Sequence, residues 1–269
     1  MKILACLFVP LTFQLSFLSV SARGVEKSAA ALRQADTVPS PQMPDDWRAI
    51  LGPQEYSEGY DAINRHEMMV SLASLRVPPK AWRLYEKGLE AQKRNDFDGA
   101  LREFEAALKV YPSFAAAFEA RGTTLLWQTK LVEAEEEFQR ALALDPMMFE
   151  AELGLGLCMN GTGDFQRAIE HLRKALHLNG ECWQVRYALG RAHYGLGENL
   201  KAELNLKLAH TWQPNHPNLY LLLAMVLLDE HKPSEALSEM ETFLSVSPND
   251  PLAPQIQAKI NELREKRTE

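Results

Sequence analysis

The stretch AWRLYEKGLEAQKRNDFDGALREFEAALKVYPSF, residues 81–114, holds two helical patterns divided by a turn signal, and its spacing returns four more times. Between Phe97 and Val110, the residues Phe97, Ala100, Leu101, Phe104, Ala107 and Leu108 recur at intervals of three and four, which predicts a helix with one buried face. Arg94-Asn95-Asp96 separates it from an earlier helix over Ala81–Lys93, and Pro112 stops it. A 34-residue period then divides the chain, without insertion, into units 81–114, 115–148, 149–182, 183–216 and 217–250. Position 20 of the units is Ala100, Ala134, Ala168, Ala202 and Ala236; position 8 is Gly88, Gly122, Gly156, Gly190 and Ala224. Position 24 carries Phe104, Phe138, Leu172, Leu206 and Met240, and position 27 is alanine until Phe243 in the last unit. Small residues at 8, 20 and 27 let two helix axes approach closely, and large residues at 24, 28 and 30 fill the remaining space. One such pair cannot bury its apolar face alone, so the units must stack.

This pattern resembles the tetratricopeptide repeat (TPR), with its small residues at 8, 20 and 27, a large apolar residue at 24 and proline at 32. The resemblance covers 81–250 and implies an all-α fold, a right-handed α-solenoid of five 34-residue helix-turn-helix repeats. Departures are Gly180 in place of proline, Phe243 in place of alanine, and Glu152 and Arg186 at position 4, often tryptophan in the family. Downstream, Asp250 as N-cap, Pro251 in the first turn and the stripe Leu252, Ile256, Ile260, Leu263 predict a C-terminal capping helix over 251–266, with a polar tail to 269.

Upstream, Lys2 precedes an apolar run from Ile3 to Val20, and Val20-Ser21-Ala22 offers small residues to a signal peptidase. Residues 1–22 therefore read as a signal peptide, with an uncleaved anchor as the alternative, and the protein is expected to be exported to a periplasm or the extracellular space. After cleavage no segment is long and apolar enough to span a bilayer. Residues 23–80 form an N-terminal arm. Its part 23–46, with Pro39, Pro41 and Pro44, reads as a flexible tether. Its part 47–80 is rich enough in apolar residues to pack on something, with short helices expected at 47–52 and 60–68 and a short strand at 69–77.

Composition narrows the function. With 29 Lys+Arg against 36 Asp+Glu the formal charge is −7, which argues against nucleic acid as partner. None of the seven histidines has metal-ligand spacing: His66-Glu67 lacks a second histidine one turn on, and His171 and His177 point to different sides of a helix. His193, at position 11, reads as a hydrogen-bonded interior histidine. The glycines 154, 156, 161 and 163 follow no strand, so they serve the repeat rather than a phosphate, and the sequon at Asn160 lies at the end of a buried helix. Cys158 and Cys182 differ in height by on the order of 15 Å along parallel helices, which predicts two free thiols. No catalytic residue, cofactor or metal is expected.

In the TPR family, positions 2, 5, 9, 12 and 13 of each first helix line a concave face that holds partners. Here the resemblance assigns to that face Trp82, Tyr85 and Leu89; Leu126 and Trp127; Leu153 and Leu157; Tyr187, Arg191 and Tyr194; and Leu221 and Met225. Lysine at position 5 and asparagine at position 9, the carboxylate clamp of chaperone-tail binders, are absent from every unit. Aromatic and leucine side chains with one arginine suit an apolar segment of a protein or peptide, extended or helical. Internal packing, or cover by residues 47–77 of the same chain, is the alternative use of this stripe. The expected function is a non-enzymatic interaction scaffold. An assembly subunit of an envelope machine or polysaccharide system comes second, and an enzyme third.

Overall fold

The computed structural model describes residues 77–180 and 182–266. The expected signal peptide, the tether, the two short helices and nearly all of the expected strand lie outside the described residues. Eleven helices and no strand occur among the described residues. They are α1 (Pro79–Lys93), α2 (Phe97–Val110), α3 (Ala115–Trp127), α4 (Leu131–Leu144), α5 (Phe149–Thr162), α6 (Phe165–Leu178), α7 (Trp183–Gly195), α8 (Asn199–Trp212), α9 (Pro217–Asp229), α10 (Pro233–Val246) and α11 (Ala253–Glu265). The first ten pair in order, α1 on α2 through α9 on α10, and each pair packs on the next. First helices of successive pairs touch one another more than second helices do, which turns the second helices outward. The first helix starts at Pro79, two residues before the expected Ala81, because Pro79 fits the first turn, where no N–H bond is lost.

Each pair is closed by the same turn. Asn95, Thr129, Gly163, Gly197 and His231, all at position 15, have positive φ of 58°, 62°, 83°, 72° and 58°. The following N–H reaches back five residues in each case, from Asp96 to Ala91, Lys130 to Leu125, Asp164 to Met159, Glu198 to His193 and Lys232 to Leu227. This is the Schellman arrangement, which satisfies orphan carbonyls at a helix end and needs a left-handed residue. In two turns the residue after it also caps the second helix: Asp96 accepts from the Gly99 N–H at 2.9 Å and Asp164 from Arg167 at 3.3 Å.

Packing within a pair follows from residue size. A Cβ added to Gly88 would lie 2.4 Å from the Phe104 ring, and one on Gly156 would lie 2.5 Å from Leu172, so position 8 is small because position 24 is large. The five position-20 alanines are all 0% exposed. Where position 4 departs from the family pattern, its polar side chain meets one at position 23. His171 Nδ1 lies 2.6 Å from Glu152 Oε2, and Arg186 Nη1 donates to Asn205 Oδ1 at 3.2 Å. Phe243 is fully buried in the cluster that Ile256 and Ile260 of α11 join.

That last helix starts later than expected. Asp250 does not cap it; its carboxylate accepts the Leu252 N–H at 2.8 Å within a turn. The helix begins at Ala253, with Pro254 rather than Pro251 in the first turn.

Candidate functional site

The inner positions divide into a partly buried group and a fully buried one. Trp82, Tyr85, Leu89, Trp127, Leu157 and Arg191 keep partial exposure. The other six assigned residues do not offer themselves to a partner. Leu126 and Leu153 are 0% exposed and Leu221 is 1% exposed; Tyr187, Tyr194 and Met225 keep 8%, 6% and 6%. Leu126 and Leu153 belong to the core formed by the middle units, and the other four join the core of the last two units. The reason is close contact between successive first helices, which turns part of the expected inner stripe into a helix–helix seam.

Position 12 shows this most directly. Gln92 Nε2 donates to the Ala120 carbonyl at 3.1 Å and to Thr124 Oγ1 at 2.7 Å, and Asn160 Nδ2 donates to the Ala188 carbonyl at 2.9 Å. Both amides reach position 6 of the following unit, so they tie repeats together instead of facing a ligand. The sequon asparagine is thereby engaged and only 3% exposed. In unit four the same position is Tyr194, whose hydroxyl is bonded to Asp229 and is held above its ordinary range by burial and by that carboxylate.

At the start of the array the inner face is aromatic. Tyr85 lies 5.5 Å from Trp82, 5.7 Å from Phe104 and 5.0 Å from Phe114, centroid to centroid, and Trp82 stacks on Phe114 at 5.8 Å. Trp82 Nε1 donates to Glu86 at 3.0 Å. The Tyr85 hydroxyl is pushed above its usual range by burial first, then by the carboxylates of Glu119 and Glu150. Trp127 packs against Phe97 at 5.7 Å. A second ring group follows in unit four, where His216 lies 4.7 Å from Trp183 and 6.0 Å from Tyr187. Phe114 and His216 were not expected at the inner face. Both stand at position 34, just before a first helix, and a ring there in an otherwise polar loop is the signal that points to them.

Groups of three or more His, Cys, Asp or Glu able to hold a metal do not occur among the described residues. His193 is 4% exposed, with Nδ1 2.6 Å from Glu198 Oε2, and that carboxylate sits below its usual range, held first by Lys201. Both cysteines are free and buried, and burial pushes the Cys158 thiol up to about 12. No helix among the described residues is long and apolar enough to cross a membrane.

Comparison with known proteins agrees with this architecture. The tetratricopeptide repeat model matches residues 85–148 and 161–217. The peroxisomal targeting signal receptor of Candida glabrata is 32% identical over 92 residues, 34% of this chain and 16% of the receptor. The BBSome complex member BBS4 of Bos taurus is 25% identical over 213 residues, 71% of this chain and 40% of that protein. The chain thus spans well under half the length of these curated relatives. Among solved structures, Pseudomonas aeruginosa pilF superposes with a TM-score of 0.61 at 20% identity, over 70% of this chain and 86% of that one. MamA from Desulfovibrio magneticus RS-1 gives 0.58 at 16% identity, over 65% and 99%. YrrB, described as a TPR protein with an unusual peptide-binding site, gives 0.54 at 16% identity, over 77% and 100%. At these identities the structures show a shared fold.

Proposed function

We propose, starting from the support for the tetratricopeptide repeat family over this array, that the chain is an exported, non-enzymatic scaffold. It holds an apolar segment of a protein or peptide on the inner face of its first three units. TPR proteins are protein–protein interaction scaffolds. The observation that carries the narrower reading is the partly buried aromatic group Trp82, Tyr85 and Trp127, with Leu89 and Leu157, which keep some surface where the later inner positions keep almost none. Rings of this size bury large areas while keeping a polar handle, the usual chemistry of an anchoring pocket. The acidic side chains Glu119 and Glu150 border Tyr85, so a segment carrying a basic residue beside its apolar anchors fits best. Export rests on Lys2, the run Ile3–Val20 and the small residues Val20-Ser21-Ala22.

A second reading, an assembly subunit of a larger envelope machine, draws on the naming of one relative as a complex member. Persistence separates the two, because an adaptor exchanges its partner and a subunit copurifies in fixed stoichiometry. The test is crosslinking capture with the full chain beside a Trp82→Ala, Trp127→Ala variant, read by mass spectrometry. A partner captured by the parent and lost from the variant supports the inner-face scaffold. Identical captures refute the site. N-terminal sequencing of the protein from its own cells is expected to begin at Arg23; an intact Met1 refutes cleavage.

A further inference from the structure

The stretch immediately ahead of the array, residues 68–76, reads MMVSLASLR, and Arg76 is its only charged residue. Its chemistry matches what the inner face of the first units asks of a ligand, apolar anchors beside one basic group. It is also attached at that face. Val77, the first described residue, packs against the cluster that holds Trp82, Tyr85 and Phe114. The carboxylates of Glu119 and Glu150 act on the Tyr85 hydroxyl of the same cluster, so a basic side chain one residue before Val77 lies within reach of negative charge.

The open end of the array does not call for such a stretch. In units three to five the stripe at positions 3, 7 and 10 meets the preceding pair and is buried, with Leu155, Leu189 and Leu223 at position 7. In α1 the same stripe is Arg83, Lys87 and Glu90, all exposed. That end suits water as it stands, whereas at the other end α11 brings Ile256 and Ile260 to an apolar core. The exposed Val132, Leu144 and Met147 of unit two lie outside the cluster that receives Val77. Reach fits the inner face too. Axes of touching helices lie about 8–10 Å apart, so crossing from α1 over α3 to α5 takes on the order of 20 Å, and nine residues span at most about 30 Å.

We propose that residues 68–76 lie across the inner faces of α1, α3 and α5 and are the first occupant of the site, which an external partner must displace. This rests on reading that face as a ligand site and adds its regulation. The segment joins Val77 without an intervening linker, so its effective concentration at the face is on the order of millimolar or higher. A partner that makes the same contacts binds weakly until the segment is released.

Two measurements on the full chain test this. In the first, benzoylphenylalanine replaces Leu72, the protein is irradiated, and crosslinks within the monomer are mapped by mass spectrometry. Crosslinks to α1, α3 or α5 are expected; crosslinks confined to other helices, or none to the array, overturn the proposal. The second uses a fluorescent peptide of residues 68–76 as probe. A Leu72→Asp, Leu75→Asp chain with unchanged helix content by circular dichroism is expected to bind it about tenfold or more tightly than the parent does, and an Arg76→Glu peptide is expected to bind less well. Equal affinity for the two chains overturns the occupancy, and an Arg76→Glu peptide that binds equally well overturns the charge contact. A partner captured on the inner face together with crosslinks elsewhere defeats this proposal alone. Inner-face crosslinks without any captured partner defeat the scaffold reading alone.

Discussion

Helices α1 and α9 hold the same place in the first and last pairs, and their surroundings treat them differently. In α1 only Ala81, Gly88, Ala91 and Gln92 are buried, whereas α9 is buried without a break from Leu219 to Leu227. The last unit is enclosed by α7 and α8 on one side and α10 on another, and α11 closes the end of the same core. The repeat therefore specifies the seam inside each pair and leaves the inner face open to two uses. In the first unit it is a partly buried aromatic surface; in the last it is interior.

The sharpest way to break this comparison is to truncate one leucine at each end. Leu221→Ala is expected to cost about 2–5 kcal/mol, the usual range for a buried leucine, while Leu89→Ala costs less than about 1 kcal/mol. Urea unfolding followed by circular dichroism measures both, and equal losses would show that the two inner faces do not differ. Overpacking the shared seam should have a smaller effect and no end preference: Ala100→Leu, Ala134→Leu and Ala236→Leu are each expected to cost about 1–3 kcal/mol. An unchanged melting curve for Ala134→Leu would place the repeat register elsewhere.

Smaller again is the effect at the turns, which are equivalent at both ends in backbone but not in residue. Thr129 sits at φ 62°, where a β-branched residue is strained, so Thr129→Gly should raise stability by up to about 1 kcal/mol. Gly163→Ala should lower it by a similar amount, since φ is 83° there and no atom lies within 4 Å of the added Cβ to compensate. The smallest change concerns chemistry rather than stability. Cys158, 0% exposed with its thiol pushed up to about 12, should resist alkylation at pH 8 in the folded protein, and it should react together with Cys182 once the chain is unfolded without reductant. Two cysteines still blocked after unfolding would reveal a disulfide.

Much of the fold was legible because its determinants are local and repeated. Gly88 and Phe104 announce one close approach, and their counterparts announce it again at the same spacing in the next three units. The positive-φ turn was legible at Asn95 and Gly163 but hidden at Thr129 and His231, whose side chains give no hint of a left-handed backbone. The candidate site was legible only as a set of positions. Tyr85 and Tyr187 share position 5 with Leu153 and Leu221, yet Tyr85 borders the accessible row and the other three are buried. Phe114 and His216 escaped notice because they lie outside the five inner positions, although the fold brings their rings beside Trp82 and Trp183.

By itself the sequence determined the period, the helix pairing, the small-against-large seam and the closing helix, because each depends on residues close together in the chain. Only the tertiary structure decided which inner residues remain at the surface and where Gln92 and Asn160 send their amides. Those outcomes depend on which helices come to lie side by side, and solvent exposure is set by neighbours in space rather than by neighbours in sequence.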